Sequence, residues 1–138
     1  MAKDRFHAVV RTALIKDGWK ITHDPFELQA GSIEMEIDLG AEELLGAERQ
    51  GREIAVEIKS FLSSSSAITE FHRALGQFIN YRTALKLVEP ERALYLAVPD
   101  AAYSTFFQLD FPKSVVKENQ VRLVVYDVES QEIVLWET

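Results

Sequence analysis

Two stretches of strict period-two alternation constrain this chain more than any other feature. From Ile33 to Leu39, the residues Ile33, Met35, Ile37 and Leu39 fall on one side of an extended chain, and Glu34, Glu36 and Asp38 fall on the other. From Glu53 to Phe61, Ile54, Val56 and Ile58 point one way while Glu53, Ala55, Glu57 and Lys59 point the other. A strand turns successive side chains to opposite faces, so each run predicts a half-buried strand and the pair predicts a sheet with a polar side.

The flanking sequence predicts what covers that sheet. Phe6, Val9, Val10, Ala13 and Leu14 form one stripe of a helix over residues 4–16, which Gly18 can end in a left-handed cap. Trp19 to Thr22 and Phe26 to Gln29 can extend on either side of Asp24-Pro25, with a turn at Ala30-Gly31. Residues 40–52 read as an excursion that turns at Gln50-Gly51. Ser66, last of four serines, is a candidate N-cap for a helix running to about Leu87 and closed by Glu89-Pro90. Ala93 to Val98 is apolar throughout apart from Tyr95, as a central strand covered on both faces must be. Short helices at 101–109 and 112–119, separated by Phe111-Pro112, and strands at Val121–Val128 and Glu132–Glu137 complete the order. The fold class is α/β, a mixed central sheet flanked by helices, and 138 residues favour a single domain over 1–138.

Several function classes drop out. The chain has no cysteine, which excludes disulfides, thiolate zinc sites and a cysteine nucleophile. No apolar run approaches the roughly 18 residues of a membrane span, and the polar start Met1-Ala2-Lys3-Asp4-Arg5 has no signal-peptide core, so a soluble cytoplasmic protein is expected. Gly-rich phosphate loops, nucleophile elbows and dinucleotide fingerprints are absent from the sequence. His7, His23 and His72 lack metal-ligand spacing, and Phe106, Phe107, Phe111 and Trp136 read as core rather than as platforms for bases.

The net charge of −7 is unevenly spread. Residues 1–20 carry five basic and two acidic groups, residues 21–60 three against ten, and residues 61–138 seven against ten. Acid concentrated in 21–60 is either a solvated surface or a site that a cation neutralises. Asp38, Glu57 and Lys59 lie on the polar faces of the two alternating strands. Two carboxylates that meet across a hairpin repel unless a proton or cation lies between them, and Mg²⁺ takes such oxygen ligands. A lysine two residues along the same face could hold a phosphate or orient an attacking water. An exposed cross-strand ion pair would leave the same E-x-K pattern. In the long helix Glu70, Ala74, Gln77 and Tyr81 share a polar stripe, beside an apolar face of Ile68, Phe71, Leu75, Phe78 and Ile79. Gln77 and Tyr81 are thereby aimed at the strands' polar face, while Glu70 also suits a helix dipole and Tyr81 a boundary aromatic.

The stretches Ala13-Leu14-Ile15-Lys16-Asp17-Gly18-Trp19, Ile37-Asp38-Leu39-Gly40-Ala41-Glu42, Ala55-Val56-Glu57-Ile58-Lys59-Ser60-Phe61 and Glu70-Phe71-His72-Arg73-Ala74-Leu75-Gly76-Gln77-Phe78-Ile79-Asn80-Tyr81 resemble the XisH family, the fdxN element excision controlling factors of cyanobacteria. The likeness includes Leu94 to Pro99 and covers nearly the whole chain. That family in turn resembles the PD-(D/E)xK nucleases, which implies a restriction-endonuclease-like αβββαβ core. By this resemblance Asp38 and Glu57 are metal ligands for Mg²⁺ or Mn²⁺, and Lys59 is the catalytic lysine. Gln77 and Tyr81 match a Q-x-x-x-Y motif that orients lysine and substrate, with Glu70 supporting. Ile37 stands where the motif has proline, and the first helix offers Asp4 but no glutamate.

The resemblance implies a part in excising a DNA element, beside a recombinase and a second controlling factor, XisI. Two readings stay open: an Mg²⁺- or Mn²⁺-dependent endodeoxyribonuclease acting on DNA, or a non-catalytic regulatory protein that uses the fold to bind a partner such as XisI. A homodimer is compatible with the sequence, and no feature decides it.

Overall fold

The structure, a computed structural model, describes residues 2–43, 51–61 and 66–137. Helix α1 spans Ala2–Lys16, followed by strands β1 Trp19–His23, β2 Phe26–Ala30, β3 Ile33–Ile37, β4 Leu39–Glu43 and β5 Glu53–Ile58. Then come α2 Ala67–Val88, β6 Arg92–Pro99, α3 Asp100–Tyr103, a 3-10 turn at Phe106–Gln108, α4 Asp110–Glu118, β7 Leu123–Asp127 and β8 Glu132–Glu137. The six-stranded sheet runs β1-β4-β5-β6-β7-β8, and β2 and β3 form a separate two-stranded sheet. Strand β5 is antiparallel to β4 and parallel to β6, which is parallel in turn to β7, so the sheet is mixed. Leaving out the β2–β3 hairpin, the order α1-β1-β4-β5-α2-β6 is the expected αβββαβ core, extended by β7 and β8.

Each face of the sheet buries its own apolar cluster. Phe6, Val9, Val10 and Leu14 of α1 pack on Leu39, Ala41, Ile54, Val56, Tyr95 and Tyr126. Phe71, Ala74, Phe78 and Leu85 of α2 pack on the opposite face with Ala55, Leu94, Leu96, Val98 and the hairpin residues Phe26, Leu28 and Ile37. Strand β6 supplies both clusters in alternation, which is why it has no polar side. Among the described residues no helix is long and apolar enough to cross a membrane.

Several expectations change. The alternating run from Ile33 to Leu39 is two strands, not one: β3 pairs with β2, β4 pairs with β1 and β5, and the chain changes sheets at Asp38. Ile37 and Leu39 consequently enter opposite clusters, and Ile33 is exposed. Part of the expected excursion at 40–52 is strand β4, while Gln50 lies outside the described residues, as do Ser63 to Ser65. Ser66 does cap α2, its hydroxyl accepting from the Thr69 N–H at 3.3 Å. The buried face of α2 is centred on Phe71, Ala74 and Phe78, with Ile68 and Ile79 exposed, so it is rotated toward the Gln77 side. Pro112 does not separate two helices. It sits in the first turn of α4, where a missing N–H costs no helical hydrogen bond, and the break falls earlier, at Ser104 and Leu109. Phe111 is exposed rather than core, because it flanks this buried proline on the outer side of α4.

Candidate functional site

Register brings the first two candidate residues together. Leu39 is paired with Val56 and both point into the α1-side cluster, so the next residues outward, Asp38 and Glu57, face the α2 side. The Asp38 Oδ2 accepts the backbone N–H of Ile58 at 2.8 Å, which fixes its carboxylate against the Glu57–Ile58 peptide. That bond leaves Oδ1 without a hydrogen bond among the described residues. Glu57 is only 5% exposed, an unusual setting for a carboxylate on a strand.

Lys59 lies two residues on, on the same face, and its Nζ donates to Gln77 Oε1 of α2 at 2.5 Å. The main chain of Lys59 is held on both sides: its N–H donates to the Ala97 carbonyl at 2.9 Å, and its carbonyl accepts the Tyr126 hydroxyl at 3.0 Å. Just beyond, Phe61 turns with φ of +50°, a conformation L-residues rarely adopt, and its N–H is taken by Glu70 Oε1 at 3.0 Å. Glu70 therefore secures the turn after the lysine from the first turn of α2, where the dipole also favours its charge.

The electrostatics mark the same place. Burial pushes the Tyr81 phenol above its ordinary pKa, and the negative charges of Glu57, Asp38 and Glu36 push it further. Tyr81 is thus within electrostatic reach of both candidate ligands and stays a neutral hydroxyl donor. Tyr126 is raised more strongly, first by burial and then by the charge of Glu70.

All six residues expected at the site are placed on one face of the sheet, around the end of β5. The described residues hold no group of three or more His, Cys, Asp or Glu side chains arranged for a metal. Two carboxylates are nevertheless a usual protein share for Mg²⁺, which keeps several waters and takes substrate phosphates for the rest. Asp38, with Oδ2 tied to the Ile58 N–H and Oδ1 without a hydrogen bond among the described residues, and Glu57 beside it fit that donor set. Tyr126 was not among the expected residues. It lies 67 residues from Lys59 in the chain, and only the strand order β5-β6-β7 could have revealed it.

Comparison with known proteins gives a consistent result. The family model described as XisH protein matches residues 1–134. A crystal structure of an fdxN element excision controlling factor protein from Anabaena variabilis shares 58% identity, with a TM-score of 0.89 over 98% of this chain and 99% of that one. An XisH family protein from Nostoc punctiforme shares 56% identity and the same TM-score of 0.89, over 98% of this chain and 100% of the other. No curated protein matches the sequence. A family model spanning almost every residue, and two solved relatives identical at more than half of their positions, establish that the chain belongs to the XisH family.

Proposed function

We propose that this chain is a controlling factor in DNA excision that works through a metal-dependent, nuclease-like site, acting in the cytoplasm as an Mg²⁺- or Mn²⁺-dependent endodeoxyribonuclease. The observation that carries the reading is the convergence of Asp38, Glu57 and Lys59 on one face of the sheet, with the lysine ammonium held by Gln77 from the covering helix. Asp38 and Glu57 would hold the ion, which when bound polarises a phosphodiester and lowers the pKa of a coordinated water. Lys59 supplies a fixed positive charge for a non-bridging phosphate oxygen, and Gln77 keeps it in place. Tyr126 and Glu70 act one step back, positioning the main chain on either side of that lysine.

Incubation of the pure protein with linear, nicked and branched DNA and Mn²⁺ tests this reading beside Lys59→Ala. Loss of the phosphate-directed charge should slow cleavage by about 100-fold or more, as removal of one transition-state donor commonly does. Equal rates for the two proteins would indicate a contaminant and remove the enzyme reading.

One observation favours a second reading. Glu27 stands directly opposite Glu36 in the β2–β3 hairpin, next to the site in a chain of net charge −7, and such a face repels a phosphate backbone. A non-catalytic subunit that docks an XisI-like factor, leaving DNA to that partner or a recombinase, would tolerate this acid. It predicts no cleavage by wild type and a one-to-one complex with the partner in light scattering.

A further inference from the structure

A groove of about 1220 Å³ lies well away from the carboxylate pair, bounded by the last turns of α2, by α4, and by the starts of β6 and β7. Arg82, Lys86, Arg92, Lys113, Lys117 and Arg122 line it. These are six of the chain's 15 basic residues, whereas only three of its 22 acidic residues, Glu91, Asp110 and Glu137, do so. The rest of the protein is left with nine basic against nineteen acidic groups. Basic residues thus outnumber acidic ones two to one in this concavity of an otherwise acidic molecule.

Two of the six have structural duties. Arg92 is buried and paired with Glu53 and Glu89, and Arg82 donates to the carbonyls of Asn119 and Gln120. Lys86, Lys113, Lys117 and Arg122 are exposed and make no ion pair among the described residues. Holding more cations together than the neighbouring carboxylates offset costs self-repulsion, which a polyanion relieves. Lys113 and Lys117 are one turn apart on α4, roughly 6 Å, so they present two charges in a row rather than a point.

We infer that this groove is a phosphate-backbone site for nucleic acid, separate from the carboxylate pair. It lies on the same face of the sheet as that pair, since Leu94, Val116 and Leu123 beside it belong to the α2-side cluster. Helix α2 connects the two: Lys86 follows Gln77 by nine residues, about 14 Å along the axis. That is about four base-pair steps of a duplex, so one DNA could lie across the groove and reach Lys59. The charge pattern stands apart from cleavage chemistry, and the inference rests on the proposed DNA role only for the identity of the polyanion.

The test is binding of a fluorescent duplex of about 20 base pairs, with chelator present so that no divalent ion contributes, between about 50 and 200 mM salt. Four free cations predict a slope of log K against log salt of about −3.6. In Lys113→Gln/Lys117→Gln, checked for fold by circular dichroism, the slope should become shallower by about two while affinity falls. Lys20→Gln, which removes an exposed cation outside the groove, should bind like wild type, and because the chelator takes any metal out of play, failure of the groove is separated from failure of the metal site. No duplex binding by wild type, or an unchanged slope in the double variant, would overturn the inference. So would a polyglutamate peptide that binds as tightly with the same dependence on Lys113 and Lys117, because the groove would then belong to an acidic protein.

Discussion

Lys59 owes its position to contacts that reach it from three other elements. Ala97 of β6 and Tyr126 of β7 hold its backbone, and Gln77 of α2 holds its ammonium. The Tyr126 hydroxyl carries a testable consequence, because its phenol is buried and its pKa raised above the ordinary value near 10. A raised phenol contributes stability in full below pH 10; above it the unfolded chain ionises while the folded one keeps its proton, so stability falls as pH rises. Urea unfolding between about pH 9 and 11.5 should show wild type losing up to about 1.4 kcal/mol per pH unit from this residue. Tyr126→Phe should lose that slope, and at neutral pH be about 1 kcal/mol less stable for the lost bond to the Lys59 carbonyl. Parallel pH profiles for the two proteins would mean that Tyr126 is not the titrating group.

The element that matters most to the site is the junction of β3 and β4. Alternation from Ile33 to Leu39 was legible as extended chain, but it did not give one polar side: Ile37 and Leu39 enter opposite clusters, and the α2 side that Asp38 faces also buries Ile37 and Ala55. It could not reveal that the chain leaves one sheet for another there, because a period of two persists through a change of partner. The pairing partners that decide it, Phe26 to Ala30 on one side and Trp19 to His23 on the other, are short and weakly patterned in sequence. In α2 the Ser66 cap and the Gln77–Tyr81 spacing were legible, but Ala74, read as part of a polar stripe, is fully buried because a small side chain lets the helix approach the sheet. The junction is also tight. A Cβ at Gly40 would lie 2.6 Å from Cδ2 of Phe26, a ring buried between His23 and the Arg92 guanidinium. Gly40→Ala should therefore cost about 1–3 kcal/mol, read as a lowered denaturant midpoint. An unchanged midpoint would show that Phe26 has room to move.

Seen as a whole, the molecule divides its labour between the two faces of a mixed sheet. The α1 side is apolar packing, and the α2 side carries both the candidate site and the basic groove. The α/β class and the order of elements follow from local pattern, since each needs only a period or a spacing, whereas the E-x-K pattern alone left an exposed ion pair open and the roles of Asp38, Glu57 and Lys59 came from the family resemblance. The groove does not follow from local pattern, because its cations are scattered from Arg82 to Arg122 in the chain and meet only where the end of α2, α4 and the starts of β6 and β7 enclose one concavity. Convergence of Asp38, Glu57 and Lys59 around one divalent ion is the claim on which the functional reading depends. Calorimetric titration of Mn²⁺ into wild type, Asp38→Asn and Glu57→Gln examines it directly, and the asparagine retains an oxygen for the Ile58 N–H, so the charge is removed without the hydrogen bond. One Mn²⁺ per wild-type chain, weakened by at least about tenfold in each variant, is the predicted result; the same affinity in all three proteins would contradict it.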